Sequence, residues 1–174
     1  MTDVRQATRE VHKIVEHTPF AQMLINGELT AQQWALYLYN QHAAYSAIES
    51  RVSYDITDLP RASNILRDIA AINNPGKLVL TATTNAYVKY ILSLPIELIW
   101  SHIYVRYMGD LAGGQVIKKL YNRYPHSVLE FNDNQQAIDY IRANVADANE
   151  AEAIATFTWV GKHFEELYEL VTTS

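Results

Sequence analysis

The run Arg106-Tyr-Met-Gly-Asp-Leu-Ala-Gly-Gly-Gln115 holds the side chains best placed to do chemistry in this sequence. Gly109, Gly113 and Gly114 interrupt a segment whose other residues favour helix. A glycine inside a helix costs about 1 kcal/mol relative to alanine. A helix that keeps them is bent there, or has something flat against its backbone. Arg106 and Asp110 stand four apart and share a face. A bare, bendable helix with one carboxylate suits controlled proton delivery beside a planar ligand. A Gly-Gly pair can equally end a helix, with one glycine in the left-handed cap conformation. The run is not a phosphate loop, because Gln115 stands where the lysine would be.

His12 is the second candidate. It lies off the apolar stripe of the first helix and shares a face with Arg5, Thr8, Val15 and Glu16. A histidine with a glutamate four residues on is a common surface pair. The functional alternative is a metal-ligating imidazole whose second nitrogen is oriented by Glu16, with Arg5 on the same face to meet an anionic group of the ligand. His17 falls about 140° round the same helix, so the two histidines do not chelate together. His17, His42, His102, His126 and His163 read as surface or satisfied core residues. Phe157, Phe164 and Tyr168 recur at helical spacing and read as core more readily than as a cofactor box.

Helices must position these groups. Asp3 with Gln6 forms a capping pattern ahead of Val4, Ala7, Val11, Ile14 and Val15. A short helix over 20–26 is stopped by Gly27. Thr30 with Gln33 opens a longer one through Trp34, Leu38, Tyr45, Ile48 and Val52. Pro60 starts another, ending near Asn73-Asn-Pro-Gly76, and Tyr87 to Leu92 belongs to a further helix that stops by Pro95. The glycine-broken helix then runs to Tyr121. Asn132 with Gln135 and Asn149 with Glu152 cap the last two, the final one ending near Val171. Lys77 to Thr83 is the single strand-like stretch. The pattern predicts an all-α single domain over residues 1–174, with about eight helices.

Composition narrows the function classes. At 174 residues and 49% hydrophobic content the chain can build a proper core and is not disordered. It has no cysteine, hence no thiolate metal site and no thiol nucleophile. A net charge of −5 without a Lys/Arg cluster argues against nucleic acid as partner. The N-terminus lacks an apolar signal core, and Ser93, Pro95, Glu97, Ser101 and His102 break the longest apolar run. The expectation is a soluble, cytoplasmic monomer that does not enter a membrane.

Taken together, the segments resemble the heme oxygenase family. The resemblance rests on Ala7-Thr-Arg-Glu-Val-His-Lys-Ile-Val-Glu16 and on Tyr104-Val-Arg-Tyr-Met-Gly-Asp-Leu-Ala-Gly-Gly-Gln115 followed by Val-Ile-Lys-Lys. Phe157 with Phe164-Glu-Glu-Leu167 adds support, and Tyr87-Val-Lys adds less. The resemblance implies heme b, as substrate and cofactor, held between the first helix and the glycine-bent one. It implies His12 as the iron ligand, with Glu16 fixing its tautomer. Gly109, Gly113 and Gly114 would let the distal backbone approach the porphyrin. Asp110 would deliver a proton through ordered water, in a network with Tyr45 and Arg106. Arg5 and Tyr104 would meet propionates, Arg142 would be a second basic contact, and Phe157 and Phe164 would border the ring. The implied reaction uses O2 and electrons from an outside donor, a ferredoxin or a flavoprotein reductase, to give biliverdin, CO and Fe2+. A ferredoxin would need a basic patch, for which Lys118, Lys119 and Arg123 are candidates. Ala112, Ile138 and Val160 stand where the family usually has serine, often lysine and often asparagine. The competing classes are a heme carrier or sensor without turnover, and a non-heme di-iron oxidase. The di-iron site wants about six converging carboxylate and histidine ligands, and no Glu-x-x-His occurs on the later helices.

Overall fold

The computed structural model describes residues 4–145 and 149–173, so Asp3 of the expected first cap lies outside the described residues. The helices are α1 (Val4–Ala7), α2 (Arg9–Glu16), α3 (Pro19–Ile25), α4 (Ala31–Glu49), α5 (Ala62–Ala71), α6 (Ala82–Ser93), α7 (Ile96–Leu111), α8 (Gly113–Leu120), α9 (Asn134–Asn144) and α10 (Glu150–Thr172), with a 3-10 turn at Ser127–Leu129. No strand occurs among the described residues. α1 and α2 form one rod, because the backbone ladder runs on through Thr8 from Val4 to His12. α7 and α8 are the two halves of the glycine-broken helix. Counted that way the ten segments make eight helical units, the number expected.

Where boundaries shift, a side chain from elsewhere in the chain is responsible. α4 opens with the expected Thr30–Gln33 capping box but stops at Glu49, before Val52. The Glu49 carboxylate accepts the N–H groups of Arg61 (2.7 Å) and Ala62 (3.2 Å), so α5 starts at Ala62 and not at Pro60. The stretch Lys77 to Thr83 is no strand. Asn40 of α4 donates to the Val79 carbonyl and accepts from the Thr81 N–H, both at 3.0 Å, which satisfies an extended segment without a sheet partner. α9 is capped by Asp133, which accepts from the Gln136 N–H at 3.0 Å, one residue later than expected. The Asn132 N–H goes to Asp58 instead. Asn149 caps α10 as expected, accepting from the Glu152 N–H at 2.9 Å.

The aromatic centre is Trp34 stacked on Tyr121 at 4.7 Å, with Phe20 against Phe164 at 5.3 Å. α10 packs on α2, α3, α6 and α7 and is the spine of the molecule. A buried arginine closes the base. Arg61 is 1% exposed and donates to the carbonyls of Leu59 (3.1 Å), Val128 (3.1 Å) and Glu130 (2.7 Å), with its guanidinium 4.0 Å from the Phe131 ring centroid. Asp68 completes the clasp, accepting from the N–H groups of Ser127 (2.8 Å) and Val128 (2.9 Å). Arg61→Met is expected to cost about 3–5 kcal/mol in urea unfolding, since it orphans buried carbonyls and the Asp58 partner. An effect under about 1 kcal/mol, the range of an exposed ion pair, would remove Arg61 from this role.

Candidate active site

The helix break falls at Ala112, whose φ of −106° and ψ of −88° separate α7 from α8. Gly109, Gly113 and Gly114 all keep negative φ; the positive-φ glycines are Gly27 and Gly76. The left-handed Gly-Gly cap is therefore overturned. Gln115 holds the break. Its side-chain amide donates to the carbonyls of Asp110 and Leu129, both at 3.0 Å, taking up a carbonyl that a regular helix would satisfy itself. Sequence reasoning used Gln115 only to reject a phosphate loop.

The three glycines divide into two kinds. A Cβ at Gly109 or at Gly113 would meet nothing within 4 Å, and both residues are exposed. Gly114 is buried, and a Cβ there would lie 3.1 Å from Leu129 Cδ2 and 3.3 Å from the Gly109 carbonyl oxygen. Gly114 thus serves the packing of α8 beneath the break and not the open face. Neither backbone conformation nor packing asks for glycine at 109 and 113.

Asp110 sits half-buried beside this open strip. The buried Tyr45 hydroxyl donates to its carboxylate and lies 3.2 Å from the Arg106 carbonyl oxygen. Loss of water raises the Asp110 pKa to about 7, against the opposing pull of the Tyr45 hydrogen bond and of the Arg61 and Arg106 charges. Burial and the Asp110 charge raise Tyr45 well above its ordinary value, so Tyr45 stays a neutral donor. Because the folded state holds the Asp110 proton to higher pH than the unfolded chain does, folding stability falls as pH rises from about 3.8 to about 7. Asp110→Asn is expected to remove that part of the slope in unfolding curves taken across the window. Parallel pH profiles for the two proteins would show Asp110 to be an ordinary surface aspartate.

Arg106 shares the helix face with Asp110 but turns its head elsewhere. Its Nε donates to the Tyr87 hydroxyl at 3.1 Å, the guanidinium lies 4.4 Å from the Tyr87 ring centroid, and Nη1 reaches Gln41 Oε1 at 3.5 Å. Behind it the Tyr87 hydroxyl is 2.6 Å from His102 Nδ1, and His102 Nε2 is 2.7 Å from Glu152 Oε1. His102 is fully buried, and loss of water lowers its pKa to about 4. It is the satisfied core histidine expected. The sequence reading had not connected it to Arg106.

On the other wall His12 is exposed on α2, its side chain 54% accessible. Glu16 Oε1 lies 3.4 Å from its Nε2, and the Phe157 ring of α10 meets the imidazole edge-on at 5.3 Å. α10 packs on both α2 and α7, while α2 and α7 share no extensive contact. Arg5 is exposed one helical stretch before His12, and Tyr104 is half-buried on α7. Arg142 is exposed in the last turn of α9. Phe164 is only 8% exposed and packs on Phe20, so it belongs to the core and not to a ligand surface. Tyr168 is exposed. His163 departs from the satisfied-core reading, because its buried Nε2 has no hydrogen-bond partner. Among the described residues no three histidine, aspartate or glutamate side chains converge to hold a metal ion, which leaves a di-iron centre without ligands. No described helix is long and apolar enough to cross a membrane.

The chain is similar to several known proteins. The chain is 26% identical, over an alignment 200 positions long with gaps, to a heme oxygenase of Porphyra purpurea, covering 95% of this chain and 85% of that protein. It is 30% identical over 134 residues to heme oxygenase 1 of Bos taurus, covering 67% of this chain but 46% of the bovine protein. It thus spans about half the length of that vertebrate relative. The crystal structure of heme oxygenase-1 from the cyanobacterium Synechocystis sp. PCC6803, solved in complex with heme, shares the fold with a TM-score of 0.81 at 22% identity, covering 97% of this chain and 93% of that one. The family model for heme oxygenase matches residues 1–158, and the chain belongs to the heme oxygenase family.

Proposed function

We propose that this chain opens heme to biliverdin, releasing CO and ferrous iron, with O2 and electrons from an external donor. The observation that carries the reading is the bare strip at Gly109 and Gly113, two glycines that nothing within the chain requires. A flat ligand lying against that backbone gives them a purpose. A lone His12 points the same way. One imidazole is a poor cage for a free metal ion, but it would suffice to hold an iron that arrives already bound in a macrocycle. When bound, heme supplies the redox-active iron and the carbon that is oxidised.

In this reading His12 would hold the iron through its imidazole, kept in orientation by Glu16 and by the Phe157 ring. Asp110, half-protonated near pH 7, supplies protons on the distal side through water. Arg106 keeps a positive charge beside it. Arg5, Tyr104 and Arg142 meet the propionates. For the donor we favour a ferredoxin, with Lys118 and Lys119 at the end of α8 as the basic contact. Arg123 is committed elsewhere, donating to Leu120, Gly27 and Leu29 carbonyls and lying over Tyr124. The absence of cysteine fits a reducing compartment such as the cytoplasm.

Hemin titration, then reduction by ferredoxin and its reductase in air, tests the proposal. A one-to-one complex that turns to a green bilin and gives its iron to a chelator is the expected result. A tight complex that never bleaches would establish a carrier or sensor instead. A second test uses the open strip. Gly109→Ala is expected to stabilise the heme-free protein by about 0.5–1 kcal/mol, through helix propensity, while weakening hemin binding. Gly114→Ala is expected to destabilise it, because of the contact with Leu129. If Gly109→Ala leaves hemin affinity untouched, no ligand lies on that strip.

A further inference from the structure

A narrow cleft opens between α4, α6, α7 and α10, lined by Asn40, Gln41, Thr84, Tyr87, Arg106 and His163 among others. It has room for about one water. His163 is 6% exposed, and its Nε2 is one of two buried side-chain polar atoms without a partner among the described residues, the other being the Tyr54 hydroxyl. An orphaned buried acceptor or donor costs free energy until something pairs with it.

The surroundings favour one kind of atom at this Nε2. His163 Nδ1 lies 3.1 Å from Thr81 Oγ1 and 3.3 Å from Thr84 Oγ1. Either threonine hydroxyl can accept from Nδ1 or donate to it, but the fixed positive charge of Arg106 on the same cleft favours the ring form that turns a lone pair toward it. Nδ1 then carries the hydrogen and Nε2 is a lone-pair acceptor. Burial, which lowers the His163 pKa to about 3, keeps the ring neutral.

Arg106 lines the same cleft with donors to spare. Its guanidinium offers five N–H groups, yet it makes one good bond, to Tyr87 at 3.1 Å, and one stretched bond, to Gln41 at 3.5 Å. We infer that the cleft binds a single ordered water, which accepts from the Arg106 guanidinium and donates to His163 Nε2, making His163 a positioning residue for Arg106. The water converts an orphaned acceptor and surplus donors into a bridge. Arg106 is then held from two sides, by Tyr87 and by His163. Neither side requires heme, so the inference stands or falls apart from the proposed reaction.

The test is 15N NMR on the full, heme-free chain. In the unmodified protein the His163 ring nitrogens are expected to show a protonated Nδ1 and a hydrogen-bonded, unprotonated Nε2. His163→Leu is expected to speed exchange of the Arg106 guanidinium Nη–H groups by about tenfold, the equivalent of one ordinary hydrogen bond. His163→Gln, which restores an acceptor, is expected to reverse most of that change; a purely packing role for the ring would not. A protonated Nε2, an Nε2 shift free of hydrogen bonding, or Arg106 exchange unaltered in His163→Leu each overturns the inference. Should His163→Leu fail to fold, the ring shifts of the unmodified protein decide the matter.

Discussion

His12→Ala is expected to weaken hemin affinity by more than about 100-fold, beyond the 10–100-fold that loss of an orienting partner such as Glu16 costs. The ferric absorption spectrum should change with it, because the axial nitrogen is gone while the bare strip at Gly109 and Gly113 is intact. Free imidazole should restore both, since the position is open: the His12 side chain is 54% accessible and is bordered by Phe157 on one side. An unchanged spectrum and unchanged turnover would place the iron ligand elsewhere and return His12 to the status of a surface partner of Glu16.

Asp110→Ala is expected to lower bilin formation by about 10²–10⁴-fold, the range for loss of a positioned general acid, with hemin affinity nearly unchanged. The separation of the two readouts matters. The carboxylate lies in the hydrogen-bond grip of Tyr45 with its pKa raised to about 7, so under the proposed function its loss should fall on turnover and not on ligand binding. Turnover in the unmodified protein should decline as pH rises above about 7, as Asp110 loses its proton. Full bilin yield from Asp110→Ala would assign the proton source to another group.

Much of this site was legible because local rules govern it. Helical spacing placed Arg106 with Asp110 and His12 with Glu16, and capping patterns at Thr30 and Asn149 fixed two helix starts. The illegible parts depend on residues far apart in the chain. Gly109 and Gly114 are the same letter in the same motif, yet one faces open space and the other faces Leu129 across the fold. Phe164 falls in helical register with Phe157, but Phe20 claims it for the core. His102 and His163 look alike in sequence; one finds Glu152 and the other finds no partner for Nε2. Asp133 caps α9 in place of Asn132, whose own N–H is held by Asp58, 74 residues away. Long-range competition of this kind leaves no local trace.

The Tyr45 hydroxyl touches both the Asp110 carboxylate and the Arg106 carbonyl oxygen, yet it has one hydrogen to give. With Asp110 ionised, that hydrogen points to the carboxylate. With Asp110 protonated, the acid becomes the donor, and the phenol can swing its hydrogen to the backbone oxygen. Apart from the proton itself, the two charge states can then differ by little more than the rotation of one O–H bond. Asp110 can be discharged and recharged repeatedly within a rigid frame, and the reorganisation energy of each proton transfer stays small.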